Sequence, residues 1–217
     1  MSEGLNTGAW KGRRAFILGG GPSLNEVDLS LLRDELTLGL NVAYLHDPTA
    51  ALIYDKRLID ALESDMRWAA YKGEKFWLNY EAPAIPRDIL VSGARQLRPL
   101  TSAPPAPRWP TTLEQGIFRG NNCGTAAICL ADILQADPIY LLGFDFRVGA
   151  GKPVNWHELY PDKWRATEKT LMEFRTNLGS IKGLVRSRVI NLTPDSRLDA
   201  FPKEDYYAVL RQQALQP

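Results

Sequence analysis

The sequence predicts an α/β fold built on a mostly parallel sheet, and three observations carry that prediction. Short apolar runs of four or five residues alternate with stretches of helical character. Four of these runs hand over to a small, amide or carboxylate residue, namely Gly19, Asn41, Asp55 and Gly143. A loop of three consecutive glycines, Gly19–Gly20–Gly21, follows the first run directly.

Taken in order, Arg14–Leu18 reads as a short buried strand. Pro22 and Ser23 suit a helix start, and a helix is expected over Asn25–Asp34, carrying Val27, Leu29, Leu31 and Leu32. Leu36–Leu40 is the second strand and Ala51–Tyr54 the third. Lys56–Trp68 has helical character, and Lys75–Leu78 is a fourth strand. From Ala82 to Gly120 the periodicity fails and prolines crowd together (Pro83, Pro86, Pro99, Pro104, Pro105, Pro107, Pro110). Proline removes a backbone donor and fixes φ, so neither a regular helix nor a central strand fits between Pro99 and Pro110. This excursion is expected to be a lid or insertion. Its five arginines (Arg87, Arg95, Arg98, Arg108, Arg119) outnumber Asp88 and Glu114.

Order returns with a small-residue helix over Thr125–Ala136 and a buried strand over Pro138–Leu142. A loop then spans Gly143–Asp162. Trp164–Ile181 shows the clearest amphipathic helix, with Trp164, Leu171, Phe174, Leu178 and Ile181 on one stripe. Arg188–Leu192 is a last strand and Lys203–Leu215 a terminal helix. The pattern implies a single Rossmann-like nucleotide-binding domain over residues 1–217, with residues 82–120 as its Pro/Arg-rich lid.

Composition narrows the function classes. The chain has 217 residues, is 45% hydrophobic, and its charges cancel to +1. That balance argues against a grip on nucleic acid through bulk positive charge. The start, MSEGLNTGAWKGRR, lacks the apolar stretch of a signal peptide, and no run reaches the ~18 apolar residues of a membrane span. Cys123 and Cys129 lie six apart within one expected helix, a spacing that indicates neither a disulfide framework nor a zinc site. A cytoplasmic protein is expected, with oligomerisation left open.

In a parallel sheet, ligands bind outside the carboxyl ends of the strands, where Gly19, Gly20, Gly21, Pro22, Ser23, Asn41 and Asp55 fall. The glycine loop is not G-x-G-x-x-G, because Leu24 stands at the third glycine position, and no Gly-Lys-Ser/Thr follows it as in a P-loop. GAGKP, residues 149–153, lacks the upstream glycine and ends in proline. What remains is a generic device, exposed main-chain N–H groups at a helix start that suit phosphate. A second such start is RGNNCGT, with Asn121, Asn122, Cys123, Gly124 and Thr125. Each feature alone fits a turn or an N-cap, and together they suggest a two-sided grip on a nucleotide. Of the two histidines, His46 precedes a turn and reads as structural, whereas His157 lies in the loop after Asp145 and is the candidate general base. Arg98, Arg108 and Arg119 are expected to meet an anionic substrate from the lid.

The motifs ILGGGPSL, Asn41, NNCGTAAICLADIL, IYLLGFDF followed by His157, and VINLTPDSRLDAF resemble, in this order, the DUF115 family. That group includes 6-hydroxymethylpterin diphosphokinases, motility-associated glycosyltransferases and phage-type members. The same order is similar to the bacterial sialyltransferases of glycosyltransferase family 42. The resemblance spans Arg14–Phe201 apart from the Pro-rich excursion. It implies that Asn41 and the Cys123–Gly124 helix start contact a nucleotide, and that His157 deprotonates an acceptor hydroxyl. Two positions depart from the sialyltransferase pattern: Gly20 and Asp55 each stand where those enzymes carry asparagine. Three readings follow. The first is a nucleotide-sugar-dependent glycosyltransferase acting on a small-molecule or glycan acceptor. The second is an ATP-dependent diphosphokinase, with Mg²⁺ held by Asp55 and Asp145. The third is a nucleotide-binding accessory protein without turnover.

Overall fold

The computed structural model of the chain describes residues 4–58, 61–62, 64–78, 94–100, 109–148 and 154–213. Seven strands form one sheet: β1 (Ala15–Leu18), β2 (Leu36–Leu40), β3 (Ala50–Ile53), β4 (Glu74–Leu78), β5 (Arg95–Leu97), β6 (Ile139–Leu142) and β7 (Val189–Asn191). Their order is β5-β4-β3-β2-β1-β6-β7, and every pairing is parallel. The α/β, Rossmann-like class read from the sequence is therefore the one observed.

Among the described residues the α-helices with assigned bounds are α1 (Met66–Ala70), α2 (Cys123–Ile133), α3 (Glu168–Ser180) and α4 (Tyr206–Gln213). Alternate residues of β1 point to opposite faces, as a strand's period of two dictates. Ala15 and Ile17 join a core that holds α2 and Leu178 of α3. Phe16 and Leu18 face the other side, with Leu24, Leu32, Tyr206 and Val209. A third cluster on that side gathers Val42, Tyr44, Ile53, Trp68 and Trp77. The segment after β1 thus packs on one face of the sheet and the helix after β6 on the other. Two neighbouring strands whose connections leave in opposite directions open a crevice at their carboxyl ends.

Several expected elements differ. The helix expected over Asn25–Asp34 is instead two 3₁₀ turns, Pro22–Glu26 and Leu29–Leu32. Val27 between them is extended, and Asp28 caps the second turn by accepting from Ser30 N–H. The stretch expected to be helical over Lys56–Trp68 is helical in pieces where it is described: a 3₁₀ turn at Lys56–Leu58, α-helical residues Ala61 and Leu62, and α1 behind the cap residue Asp65. α3 starts at Glu168 behind Thr167, which leaves Trp164 in a short 3₁₀ turn outside the helix. The last helix starts at Tyr206, three residues later than Lys203. Inside the Pro-rich excursion lies an edge strand, β5, whose sequence Arg-Gln-Leu carries no apolar run to announce it. Pro99 bridges to Ile117 just beyond it. Of the lid, residues 82–93 and 101–108, Arg87 and Arg108 included, fall outside the described residues.

Buried α2 is fastened by Asp132, whose side chain is fully enclosed. It accepts hydrogen bonds from Trp109 Nε1, from Arg186 N and Nε, and from Ser187 N and Oγ. Burial pushes its pKa up, but the bonds from Ser187, Trp109 and Arg186 outweigh that and hold it low. Asp132→Ala would leave a guanidinium and two main-chain amides without their acceptor. It should cost about 3–5 kcal/mol, read by denaturant unfolding, whereas Asp137→Ala, an exposed partner of Arg188, should change stability by less than about 1 kcal/mol.

Candidate functional site

A cleft of about 490 Å³ opens at the carboxyl ends of β1, β2, β3 and β6. Gly19, Gly20 and Gly21 line it, as do Asn41, Asp55, Asn121, Asn122, Cys123, Gly124, Asp145 and His157. Pro22, Ser23, Thr125, Arg98 and Arg119 are not among its lining residues.

The glycine loop is welded to the segment after β6. Gly19 N–H donates to Leu142 O and Gly21 N–H to Gly143 O, each at 2.8 Å. Ser23 donates from its amide to Asp145 Oδ1 (3.2 Å) and from its hydroxyl to Asp145 Oδ2 (2.8 Å). A Cβ on Gly19 would lie 2.6 Å from Gly143 O, and one on Gly21 would overlap Asp145 Oδ2. Protein atoms therefore fill the space these two glycines provide. This corrects the expectation of a cradle of free amides, because Gly19, Gly21 and Ser23 have their N–H groups bonded within the chain and Pro22 has none. Gly20 is the member that faces open space, with Asn155 Oδ1 3.4 Å from the position of a Cβ.

Asp145, expected as a catalytic or metal-binding residue, has both carboxylate oxygens engaged by Ser23 and is almost fully buried. Desolvation raises its pKa, against the opposing bonds from Ser23. It is a positioning residue for the loop.

Asn41 closes β2 in the left-handed region, φ 51°, a conformation asparagine tolerates. Its Oδ1 accepts from Tyr54 N–H and Asp55 N–H, tying the end of β2 to the end of β3. Tyr160, which lines the cleft with Asn41, has its phenol pushed far up by burial and then by Asp55. The Asp55 carboxylate is gripped by the Arg57 guanidinium, with Nε to Oδ1 at 2.8 Å and the terminal nitrogen to Oδ2 at 2.6 Å. Arg57 in turn lies over the Trp164 ring. Both carboxylates expected to hold Mg²⁺ are thus committed to protein donors. No group of three or more His, Cys, Asp or Glu side chains suited to a metal occurs among the described residues.

At the start of α2, Asn122 is a plain N-cap. Its Oδ1 accepts from Thr125 N–H, and its Nδ2 donates to Gly120 O and Thr125 Oγ1. Asn122 and Thr125 are therefore consumed by capping rather than offered to a ligand. Asn121, at φ 56°, turns the chain into the cap. Among the described residues the amides of Cys123 and Gly124 have no oxygen acceptor, and they favour the charged form of the Cys123 sulfur, a weak acceptor that an oxyanion outcompetes. Burial pushes the Cys123 thiol up to about 11 and keeps it protonated. Gly124 is required because a Cβ there would lie 2.9 Å from the Phe144 ring.

The His157 ring stands edge-on to Trp156 and Tyr160. Its Nδ1 accepts from Leu159 N–H at 3.2 Å. Burial, then the neighbouring His46, depresses its pKa to about 4, so the ring is neutral at pH 7. With Nδ1 accepting, the ring proton belongs on Nε2, and the expected base presents a donor in this state. Trp156 N–H donates to Gly20 O, and Asn25 Nδ2 donates to Trp156 O, so this segment is strapped across the glycine loop.

Of the expected lid arginines, Arg98 is exposed and donates to Gln115 O. The cations that do line the cleft are Arg57, Arg147, Lys163 and Arg165. They were missed because they lie in non-periodic segments, where sequence pattern gives no direction to a side chain. Phe146, Trp164 and Phe174 add aromatic wall.

No protein-family model matches the sequence, and neither does any curated protein. Solved structures of glycosyltransferases share its fold. The sialyltransferase CstII from Campylobacter jejuni, in complex with the substrate analogue CMP-3FNeuAc, is 17% identical with a TM-score of 0.53, over 88% of this chain and 85% of that one. The monofunctional α-2,3-sialyltransferase Cst-I from the same organism gives a TM-score of 0.58 at 17% identity, over 88% and 80%. The MAf glycosyltransferase from Magnetospirillum magneticum AMB-1 gives 0.58 at 13% identity, over 97% of this chain and 38% of that longer one. No helix among the described residues is long and apolar enough to cross a membrane.

Gly21→Ala should lower stability by about 1–3 kcal/mol in denaturant unfolding, through its clash with Asp145. Gly20→Ala should stay within about 0.5 kcal/mol of the parent chain while narrowing the cleft floor.

Proposed function

We propose that the chain is a transferase that uses a nucleotide-sugar donor, with the nucleotide seated in the switch-point cleft. The observation that carries this reading is that Gly20, Cys123 and Gly124, whose main-chain amides have no hydrogen-bond acceptor among the described residues, line one cleft with aromatic walls. The shared fold with glycosyltransferases, one of them holding a cytidine-monophosphate sugar analogue, supports the same assignment. The amides take the phosphate and Tyr160 roofs the Asn41–Asp55 end. The diphosphokinase reading has less support, since Asp55 and Asp145 are both occupied by protein donors.

His157 is the proposed acceptor of the substrate hydroxyl proton. To accept at Nε2 the ring moves its own proton to Nδ1 and exchanges the Leu159 amide for another partner. His157→Ala should lower the transfer rate by about 10²–10⁴-fold. Because the folded pKa lies near 4, the neutral ring persists as pH falls. The rate should stay level from pH 8 to about 5 and drop below that. A drop centred on the ordinary imidazole value near 6.5 would contradict a buried His157 as the base.

Nucleotide class is tested by thermal shift with CMP, UDP, GDP and ATP, each with and without Mg²⁺. A ligand at about 100 times its Kd adds about 2.7 kcal/mol of stability. Stabilisation by CMP or UDP without metal supports sugar transfer. Stabilisation by ATP that requires Mg²⁺ supports the diphosphokinase reading instead, and no shift with any nucleotide removes both.

A further inference from the structure

The cleft holds two chemically distinct sets of anion-binding groups, and the nucleotide reading accounts for one. The first set is the main-chain amides of Gly20, Cys123 and Gly124. The second is side-chain charge. Among the described lining residues are four cations, Arg57, Arg147, Lys163 and Arg165, against two carboxylates, Asp55 and Asp145. Both carboxylates are spent inside the protein: Asp55 on Arg57, and Asp145 on Ser23. Among the described residues Arg147 forms an ion pair with Asp195, at 3.5 Å, a largely exposed carboxylate, so that pair is a weak rim contact, and its charge is also felt by the buried Asp145 carboxylate. Lys163, on the 3₁₀ turn Asp162–Trp164, is exposed and has no hydrogen bond or ion pair among the described residues. Among the described lining residues, Lys163 thus has no partner and Arg147 a weak one, in a chain whose total charge is +1.

We propose that two of these lining cations, Arg147 and Lys163, recognise a second phosphate, so that the donor is a nucleoside diphosphate sugar. The inference rests on the nucleotide reading of the same cleft. A diphosphate joined to a sugar carries one more negative charge than a monophosphate diester, and Arg147 and Lys163 supply positive charge in the cleft lining to meet it. In the transfer step the acceptor oxygen gives its proton to His157 and bonds to the anomeric carbon. The bond from that carbon to the terminal phosphate oxygen breaks, and its electron pair stays on the diphosphate. The leaving group gains one negative charge, which Arg147 and Lys163 are placed to offset. A lysine acts here as a mobile point charge and an arginine as a fixed fork, both suited to phosphoryl oxygens.

The test is isothermal titration of the full chain with CMP against CDP and UMP against UDP, in chelator-treated buffer. For the base that binds, the diphosphate should be tighter by about tenfold or more, an increment worth about 1.4 kcal/mol. In Arg147→Ala/Lys163→Ala the ratio of the two affinities should fall towards one, and in Arg147→Lys/Lys163→Arg it should be retained. Equal affinity of the parent chain for mono- and diphosphate overturns the inference and leaves the nucleotide reading standing. A diphosphate preference that survives in the double alanine variant, or that appears only on adding Mg²⁺, also overturns it. Absence of binding by all four nucleotides overturns both readings together.

Discussion

The cleft exists because β1 and β6 lie side by side while the chain leaves them on opposite faces of the sheet. Such a crevice would gape or collapse without something to fix its lip. Here the lip is fixed by the Ser23–Asp145 pair and the Gly21–Gly143 main-chain bond. Asp145 lies outside any regular element, and its carboxylate is removed from water by the loop it holds. Desolvation disfavours its charge, and the two Ser23 donors offset only part of that cost. The price of the clasp is glycine at positions 19 and 21, since no side chain fits between the two loops.

That constraint decides which groups remain for a ligand. Once the weld has consumed the amides of Gly19, Gly21 and Ser23, Gly20 contributes one donor and the start of α2 contributes the rest. A helix terminus favours an anion by about 0.3–1 kcal/mol when exposed, and by up to about 2 kcal/mol when partly buried. Those amounts position a phosphate without binding it tightly. In the proposed nucleotide reading, the larger electrostatic contribution comes from Arg147 and Lys163. Asn41 earns its place structurally as well, because its one oxygen holds two amides of the β3 end.

Much of the fold was legible in the sequence. Runs such as AFIL, LTLGL and IYLL are too short and too uniformly apolar for anything but buried parallel strands, and all three are in the sheet. β5 was not legible, since an edge strand buries little and needs no apolar run. The segment after the glycines misled because a proline start and four apolar residues are shared by α- and 3₁₀-helices. At the site, sequence located the strand ends but not the direction of each group. Asn122 and Thr125 sit where a ligand-binding pair would sit, yet they bind each other. Arg147 and Lys163 carry no motif, and only the path of the chain after β6 brings them to the cleft.

The claim on which this account stands is that Gly20, Cys123 and Gly124 form one phosphate-binding floor. Amide chemical shifts of the ¹⁵N-labelled chain, followed through a titration with a nucleoside monophosphate, test it most directly. The account predicts saturable shifts that are largest at these three amides, while Gly19 and Gly21, bonded within the chain, move little. Saturable binding whose shifts lie elsewhere, with Gly20, Cys123 and Gly124 unmoved, would contradict it.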